Sequence, residues 1–109
     1  MADWTKENLD GYFDALRRKD VVGVVEMFAP SAILIDENNK TLQGGQIKDY
    51  YSNFLVNPVN CNMVSFNGRG NEVYVAYTYP KSGSSDIVRA SARFFFQAGK
   101  ITKFILEIF

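Results

Sequence analysis

The second half of this chain constrains its fold most tightly. From Cys61 onward it reads as four strand-like runs, Cys61 to Asn67, Glu72 to Tyr79, Ile87 to Gln97 and Ile101 to Phe109. The turn clusters between them are Asn67-Gly68-Arg69-Gly70, Pro80 to Ser85 and Ala98-Gly99. None has room for a crossover helix, so consecutive runs must pair antiparallel as a meander. Parity then assigns faces. Val88, Ala90, Ala92, Phe94 and Phe96 form an uncharged face opposite Arg89 and Arg93, and Phe104, Leu106 and Ile108 oppose Lys103, Ile105, Glu107 and Phe109. The same rule turns Val73, Val75, Tyr77 and Tyr79 to the inside.

The first half changes period. Leu9, Tyr12, Phe13 and Leu16 recur at helical spacing behind Thr5, a plausible N-cap. Arg17-Arg18-Lys19 closes that helix, where cations complement the negative end of the macrodipole. Asp20 opens a second, shorter helix with the stripe Val21, Val24, Val25 and Phe28, which Pro30 stops. Ala32 to Asp36 reads as a strand, Asn38-Asn39 as a tight hairpin, and Thr41-Leu42-Gln43 as the return. After Gly44-Gly45 a third helix carries Ile47, Tyr50, Tyr51, Phe54 and Leu55, and Asn57-Pro58 ends it. Helices segregated from a meander predict an α+β fold, with three N-terminal helices packed on one face of a curved, mostly antiparallel sheet.

With 109 residues there is room for one domain, spanning 1–109, and no repeat or interdomain linker divides it. Apolar residues at 47% and aromatics at 15% exceed what one small core needs, which points to a lined pocket or an oligomer face. Twelve Lys plus Arg against twelve Asp plus Glu leave no net field to draw the chain to nucleic acid or to anionic lipid. No run is apolar enough for a signal peptide or a membrane span, so a cytoplasmic location is the expectation.

The residue inventory also narrows the chemistry. A single cysteine, Cys61, excludes an internal disulfide and reads as a small apolar filler. Without histidine there is neither a Ser-His-Asp nor a Cys-His system, and no metal site or cofactor is expected. Gly68-Arg69-Gly70 is a hairpin turn and not a phosphate loop, since no helix follows it. Acid–base work would rest on carboxylates, tyrosines, lysines or water. Asp36 shares its strand face with Ala32 and Leu34, an expensive place for a carboxylate unless something uses it, and Tyr12 has a hydroxyl to aim at the same cavity. Asp36 can equally be a turn-starting residue bonded to the backbone that follows, and Tyr12 a stripe residue of an amphipathic helix.

The pattern Tyr12 with Ala15-Leu16, Asp20, Gly23, Val25, Phe28-Ala29, Ala32 and Asp36 resembles, without a gap, the ketosteroid isomerases and SnoaL-like cyclases of the nuclear transport factor 2-like superfamily. Gly44, Ile47 and Tyr51 fit the third helix with a small shift, and Ala98-Gly99-Lys100 the turn before the last strand. The resemblance implies a conical α+β barrel that holds a small hydrophobic, cyclic molecule. It implies Asp36 as general base and Tyr12 as hydrogen-bond donor to an enolate-like oxygen, in a cone lined by Phe28, Tyr51, Phe54, Tyr77, Tyr79, Ala92 and Phe94. Ala92 departs from the isomerase pattern, in which a protonated carboxylic acid supplies a second donor at that place. This argues against true steroid isomerisation unless Tyr77 or Tyr79 substitutes. Two readings stay open: a cofactor-independent isomerase- or cyclase-like enzyme, and a non-catalytic ligand-binding or dimerisation module. A homodimer through the outer face of the last two long strands is expected, because Phe95, Ile105 and Phe109 would otherwise form an unusual patch.

Overall fold

A computed structural model describes residues 4–56, 59–81 and 84–109. The chain runs α1 (Lys6–Arg17), α2 (Val21–Glu26), β1 (Phe28–Ile35), β2 (Thr41–Gln43), α3 (Gly45–Phe54), β3 (Asn62–Arg69), β4 (Glu72–Pro80), β5 (Ile87–Gln97) and β6 (Lys100–Ile108). The six strands form one curved sheet in the order β2-β1-β6-β5-β4-β3, and every pairing is antiparallel except β1 with β6. The α+β arrangement expected from the sequence is the one observed. The Asn57-Pro58 stop, Met1 to Asp3, and Ser82-Gly83 of the predicted turn Pro80 to Ser85 lie outside the described residues.

Local chemistry sets the helix starts. Thr5 and Asn8 form a reciprocal capping box: the Thr5 hydroxyl accepts the Asn8 amide at 3.1 Å, and the Asn8 side-chain oxygen accepts the Thr5 amide at 2.9 Å. Asp20 accepts the Gly23 amide at 2.9 Å and starts α2. Gly44 starts α3 at φ 56, a left-handed conformation that glycine adopts without a Cβ penalty.

One boundary differs from expectation. Phe28 was expected on the stripe of α2 with Pro30 as its stop, yet α2 ends at Glu26, and both residues lie in β1. Pairing with β6 overrides the helical stripe: Phe28 is in register with Ile101, and the Ile101 amide donates to the Met27 carbonyl at 2.8 Å. Pro30 is tolerated because the β1–β6 register is broken between Phe28 and Ile33, so its missing N–H costs no ladder bond.

The core lies between the sheet's inner face and the helices. Leu9, Phe13 and Leu16 of α1 are almost wholly buried with Val73, Val75, Phe94 and Phe104, and each such side chain contributes about 1.5–3 kcal/mol relative to exposure. Arg17 ties α1 to the approach to β3, its Nε and Nη2 donating to the Cys61 carbonyl at 3.0 and 2.6 Å. Cys61 is fully buried, and burial pushes its thiol up to about 12, so it stays a neutral filler. Among the described residues no helix is long and apolar enough to cross a membrane.

Candidate functional site

The inner face of the meander is stacked in rows. Val73, Phe94 and Phe104 share one row with Leu34, Val75, Ala92 and Leu106 share the next, and Tyr77, Ala90 and Ile108 share a third. The first two rows are buried, whereas beyond the third, Tyr79 and Val88 are only half-buried. The cone is therefore filled at one end and opens toward Tyr79, Ile108, the third helix and the β1–β2 turn.

The predicted site residues divide between these ends. Tyr12, Tyr51, Phe28, Ala92 and Phe94 belong to the filled end, none more than 7% exposed. The Tyr12 ring packs edge-on against Phe13, Tyr51 and Phe94, at centroid distances of 5.2, 6.3 and 5.1 Å. Phe28 packs on Tyr51 and Phe104, and Ala92 sits between Val75 and Leu106. Phe54, Tyr77 and Tyr79 belong to the mouth. Tyr79 stacks on Tyr77 and meets Phe54 edge-on at 6.0 Å, and Phe54 stacks on Tyr50.

At the filled end the Tyr12 and Tyr51 hydroxyl oxygens are 2.7 Å apart. Burial raises both phenols above their ordinary value, and their shared bond raises Tyr12 further while drawing Tyr51 down. Both are neutral donors at physiological pH. One hydroxyl proton closes the bond between them, and the other has no acceptor among the described residues.

At the mouth Asp36 is buried as its parity requires, and its carboxylate is used by the turn. Its Oδ1 accepts the amides of Asn38 and Lys40, each at 2.9 Å, while its own amide donates to the Lys40 carbonyl at 3.0 Å. Asn39 takes the left-handed conformation this turn needs, φ 64. Asp36 still lines two clefts: one of about 320 Å³ shared with Lys40, Leu42, Asp49 and Tyr50, and one of about 270 Å³ shared with Glu37, Leu106 and Ile108. Tyr12 lines neither cleft.

Two residues at the mouth were not assigned a role from the sequence. The Tyr50 hydroxyl donates to Glu37 Oε2 at 2.9 Å. Burial raises the Tyr50 phenol, and the Glu37 charge and the bond to it add to the rise. Tyr77 and Tyr79 are also raised by burial first, with the Glu37 charge among the lesser causes. Tyr50 was visible as a member of the third helix's stripe. Glu37 carried no signal, because its direction depends on a turn that strand parity does not describe.

The fold has known counterparts. SalBIII, an epoxide hydrolase/cyclase-like enzyme in pyran ring formation in polyether salinomycin, shares the fold with a TM-score of 0.82 at 23% identity, over 95% of this chain and 89% of that one. A protein of ketosteroid isomerase-like fold from Catenulispora acidiphila, solved in complex with trimethylamine, aligns with a TM-score of 0.80 at 16% identity, over 94% and 85% of the two chains. An NTF2-like protein from Burkholderia xenovorans aligns with a TM-score of 0.80 at 15% identity, over 94% and 80%. At such identities the likeness establishes the fold. No curated protein matches the chain by sequence. The family model of the SnoaL-like domain matches residues 9–104, from the helix that carries Tyr12 to the strand beneath the cone, and the chain belongs to that family.

Proposed function

We propose that the mouth of the cone binds a small hydrophobic, ring-bearing molecule and moves a proton on it without a cofactor. The carboxylates of the β1–β2 turn, Asp36 and Glu37, supply the base at the mouth, and the Tyr12–Tyr51 hydroxyl pair, deeper than either cleft, supplies the donor to a ligand oxygen that reaches inward past the rim. The observation that carries this reading is the Tyr50 hydroxyl bonded to Glu37 at 2.9 Å, in a cleft that Tyr50 shares with Asp36, which sets carboxylates beside an aromatic rim. The Tyr12 and Tyr51 hydroxyls, 2.7 Å apart, use one proton on each other, and the second O–H, which has no acceptor among the described residues, is left for a substrate oxygen. The aromatic rim of Tyr50, Phe54, Tyr77 and Tyr79 matches a flat, apolar ligand. The cyclase-like activity of SalBIII, a relative in fold, fits chemistry of this class.

A second reading has its own support. Tyr12 is packed by four aromatic rings, those of Phe13, Tyr51, Phe94 and Phe104, which suits a module that holds a ligand at the mouth without reacting with it. Two probes separate the readings. Fluorescence titration with 2-naphthol reports binding of a flat phenol, and ring opening of 5-nitrobenzisoxazole reports removal of a carbon-bound proton. Binding together with ring opening that is lost in the Asp36→Asn/Glu37→Gln double variant supports the enzyme. Binding without ring opening supports the module, and absence of binding removes the pocket itself.

A further inference from the structure

We infer that the cleft of about 270 Å³ on the β6 side of the β1–β2 turn is an open slot in the sheet, and that it takes a short extended peptide in which basic and apolar residues alternate. The peptide adds to β6 as a strand at the place where β1 has left it. The slot exists because these two parallel neighbours end at different heights. β1 last pairs with β6 at Ile35, opposite Ile105, and Asp36 then turns the chain aside by accepting the Asn38 and Lys40 amides, each at 2.9 Å. β6 runs on to Ile108 with no strand beside it on that edge.

The backbone of that stretch is left half-paired. Phe109 donates its amide to the Arg89 carbonyl at 2.9 Å, which makes Arg89 and Phe109 a hydrogen-bonded pair across β5 and β6. Such pairs alternate with pairs that exchange no bond, so Ile108, opposite Ala90, turns its N–H and C=O away from β5 and toward the slot. Neither group has a hydrogen-bond partner among the described residues. An edge that presents a free donor and a free acceptor is a template for a further strand, whose main chain bonds both.

The walls select the side chains. Asp36, Glu37 and Glu107 bring three carboxylates to the slot, no lysine or arginine lines it, and none of the three is in an ion pair among the described residues. Asp36 Oδ2 and Glu37 Oε1 are clear of the bonds those side chains already make. Ile35 and Ile105, both half-buried, stand on the outer face of the sheet, and Asp36 stands on the inner one. An added strand also alternates, so its apolar residues meet the two isoleucines while the basic residues between them face the turn carboxylates. A ring compound fits less well here, since the volume lies below the roughly 300–1,000 Å³ usual for small-molecule pockets.

Fluorescence anisotropy of the full chain with a fluorescein-labelled Lys-Val-Lys-Val-Lys peptide tests this. Binding is expected to saturate below about 1 mM, and N-methylation of the peptide's backbone amides is expected to weaken it by about tenfold, because the strand then has no donor for the Ile108 carbonyl. Ile108→Pro is expected to weaken it as much, since proline removes the open N–H and no bond to β5. Glu37→Gln is expected to weaken it by about threefold, and a Glu-Val-Glu-Val-Glu peptide is expected not to bind. Absence of binding by the wild type overturns the proposal. Binding that fades with salt but ignores both N-methylation and Ile108→Pro is surface charge attraction, and it overturns the proposal too. If the lysine peptide fails to bind and Ile108→Pro halves the mass measured by light scattering, the occupant is a second copy of the chain and the peptide is ruled out. The N-methylated peptide decides the matter on the wild-type chain even where Ile108→Pro does not fold. Proton transfer enters none of these readouts.

Discussion

The hydroxyls of Tyr12 on α1 and Tyr51 on α3 meet at 2.7 Å inside the aromatic core and join two helices 39 residues apart in sequence. Each hydroxyl is buried, so removing one leaves the other without its partner. Tyr12→Phe and Tyr51→Phe are each expected to cost about 1–2 kcal/mol of unfolding free energy, since the rings still fill their places. The double variant is expected to cost less than the sum, because the second substitution removes a group the first had already orphaned. Urea unfolding of the four proteins measures the cycle, and strict additivity would show that the two hydroxyls do not interact. In the ring-opening assay Tyr12→Phe should lose far more rate than stability if the pair is the donor.

The same burial predicts how the protein responds to alkali. Below pH 10 the phenols are neutral in both folded and unfolded chains, and their contribution to stability is complete. Above it the unfolded chain ionises near the ordinary phenol value of 10.0, while Tyr12, Tyr51 and Tyr77 keep their protons in the folded chain. The folded state then binds more protons, so stability falls as pH rises through this range and continues to fall toward the raised folded values. Each buried phenol adds about 1.4 kcal/mol of loss per pH unit once its unfolded form is ionised. The urea midpoint is expected to be level between about pH 7 and 9 and to decline beyond 10, less steeply in Tyr12→Phe. A phenolate absorbance that rises fully before unfolding would contradict the burial of these groups.

Trp4 offers a test of packing at the N-terminal end. Its ring meets Phe66 edge-on at 6.1 Å, and a Cβ placed on Gly68 would fall inside the indole. Gly68→Ala therefore forces Trp4 off the inner face of β3, at an expected cost of about 1–3 kcal/mol. As the only tryptophan in the chain, Trp4 reports its own displacement, and its fluorescence should shift to longer wavelength in the folded variant. An unchanged emission maximum would mean that the indole does not rest on Gly68.

The meander was legible because its signals are local: β5 spans Ile87–Gln97 as its alternation indicated, and the inner parity of Val73, Val75 and Phe94 is their observed burial. The parallel β1–β6 pairing was not, since a pairing across most of the chain leaves no local mark, and it is what drew Phe28 out of its helical stripe. Asp36 was placed on the correct face by alternation, and its hydrogen bonds to Asn38 and Lys40 follow the other reading of the same residue, that of a turn builder. Glu37 was missed because the chain leaves strand geometry at Ile35, after which period-two reasoning no longer says where a side chain points.

The outer face of β5 and β6 carries the last prediction, a homodimer. Of the residues expected there, Arg93 is engaged within its own chain, its Nε 3.2 Å from Glu72 Oε1, and Lys103 lies 5.8 Å from the centre of the Phe95 ring. Arg89 and Glu107 make no ion pair among the described residues; of the expected apolar patch Phe109 is 75% exposed while Phe95 and Ile105 are half-buried, and Ile87 on the same face is 60% exposed. We propose a twofold contact that sets Arg89 of one copy against Glu107 of the other and buries Phe95, Ile105 and Phe109 between them. Such a contact satisfies the free charges and removes exposed apolar surface in one step. Light scattering is expected to give twice the mass of the 12.3 kDa chain at micromolar concentration, and Phe95→Glu is expected to halve it. A wild-type mass of one chain rules the dimer out, and a dimer that survives Phe95→Glu has its interface on another face.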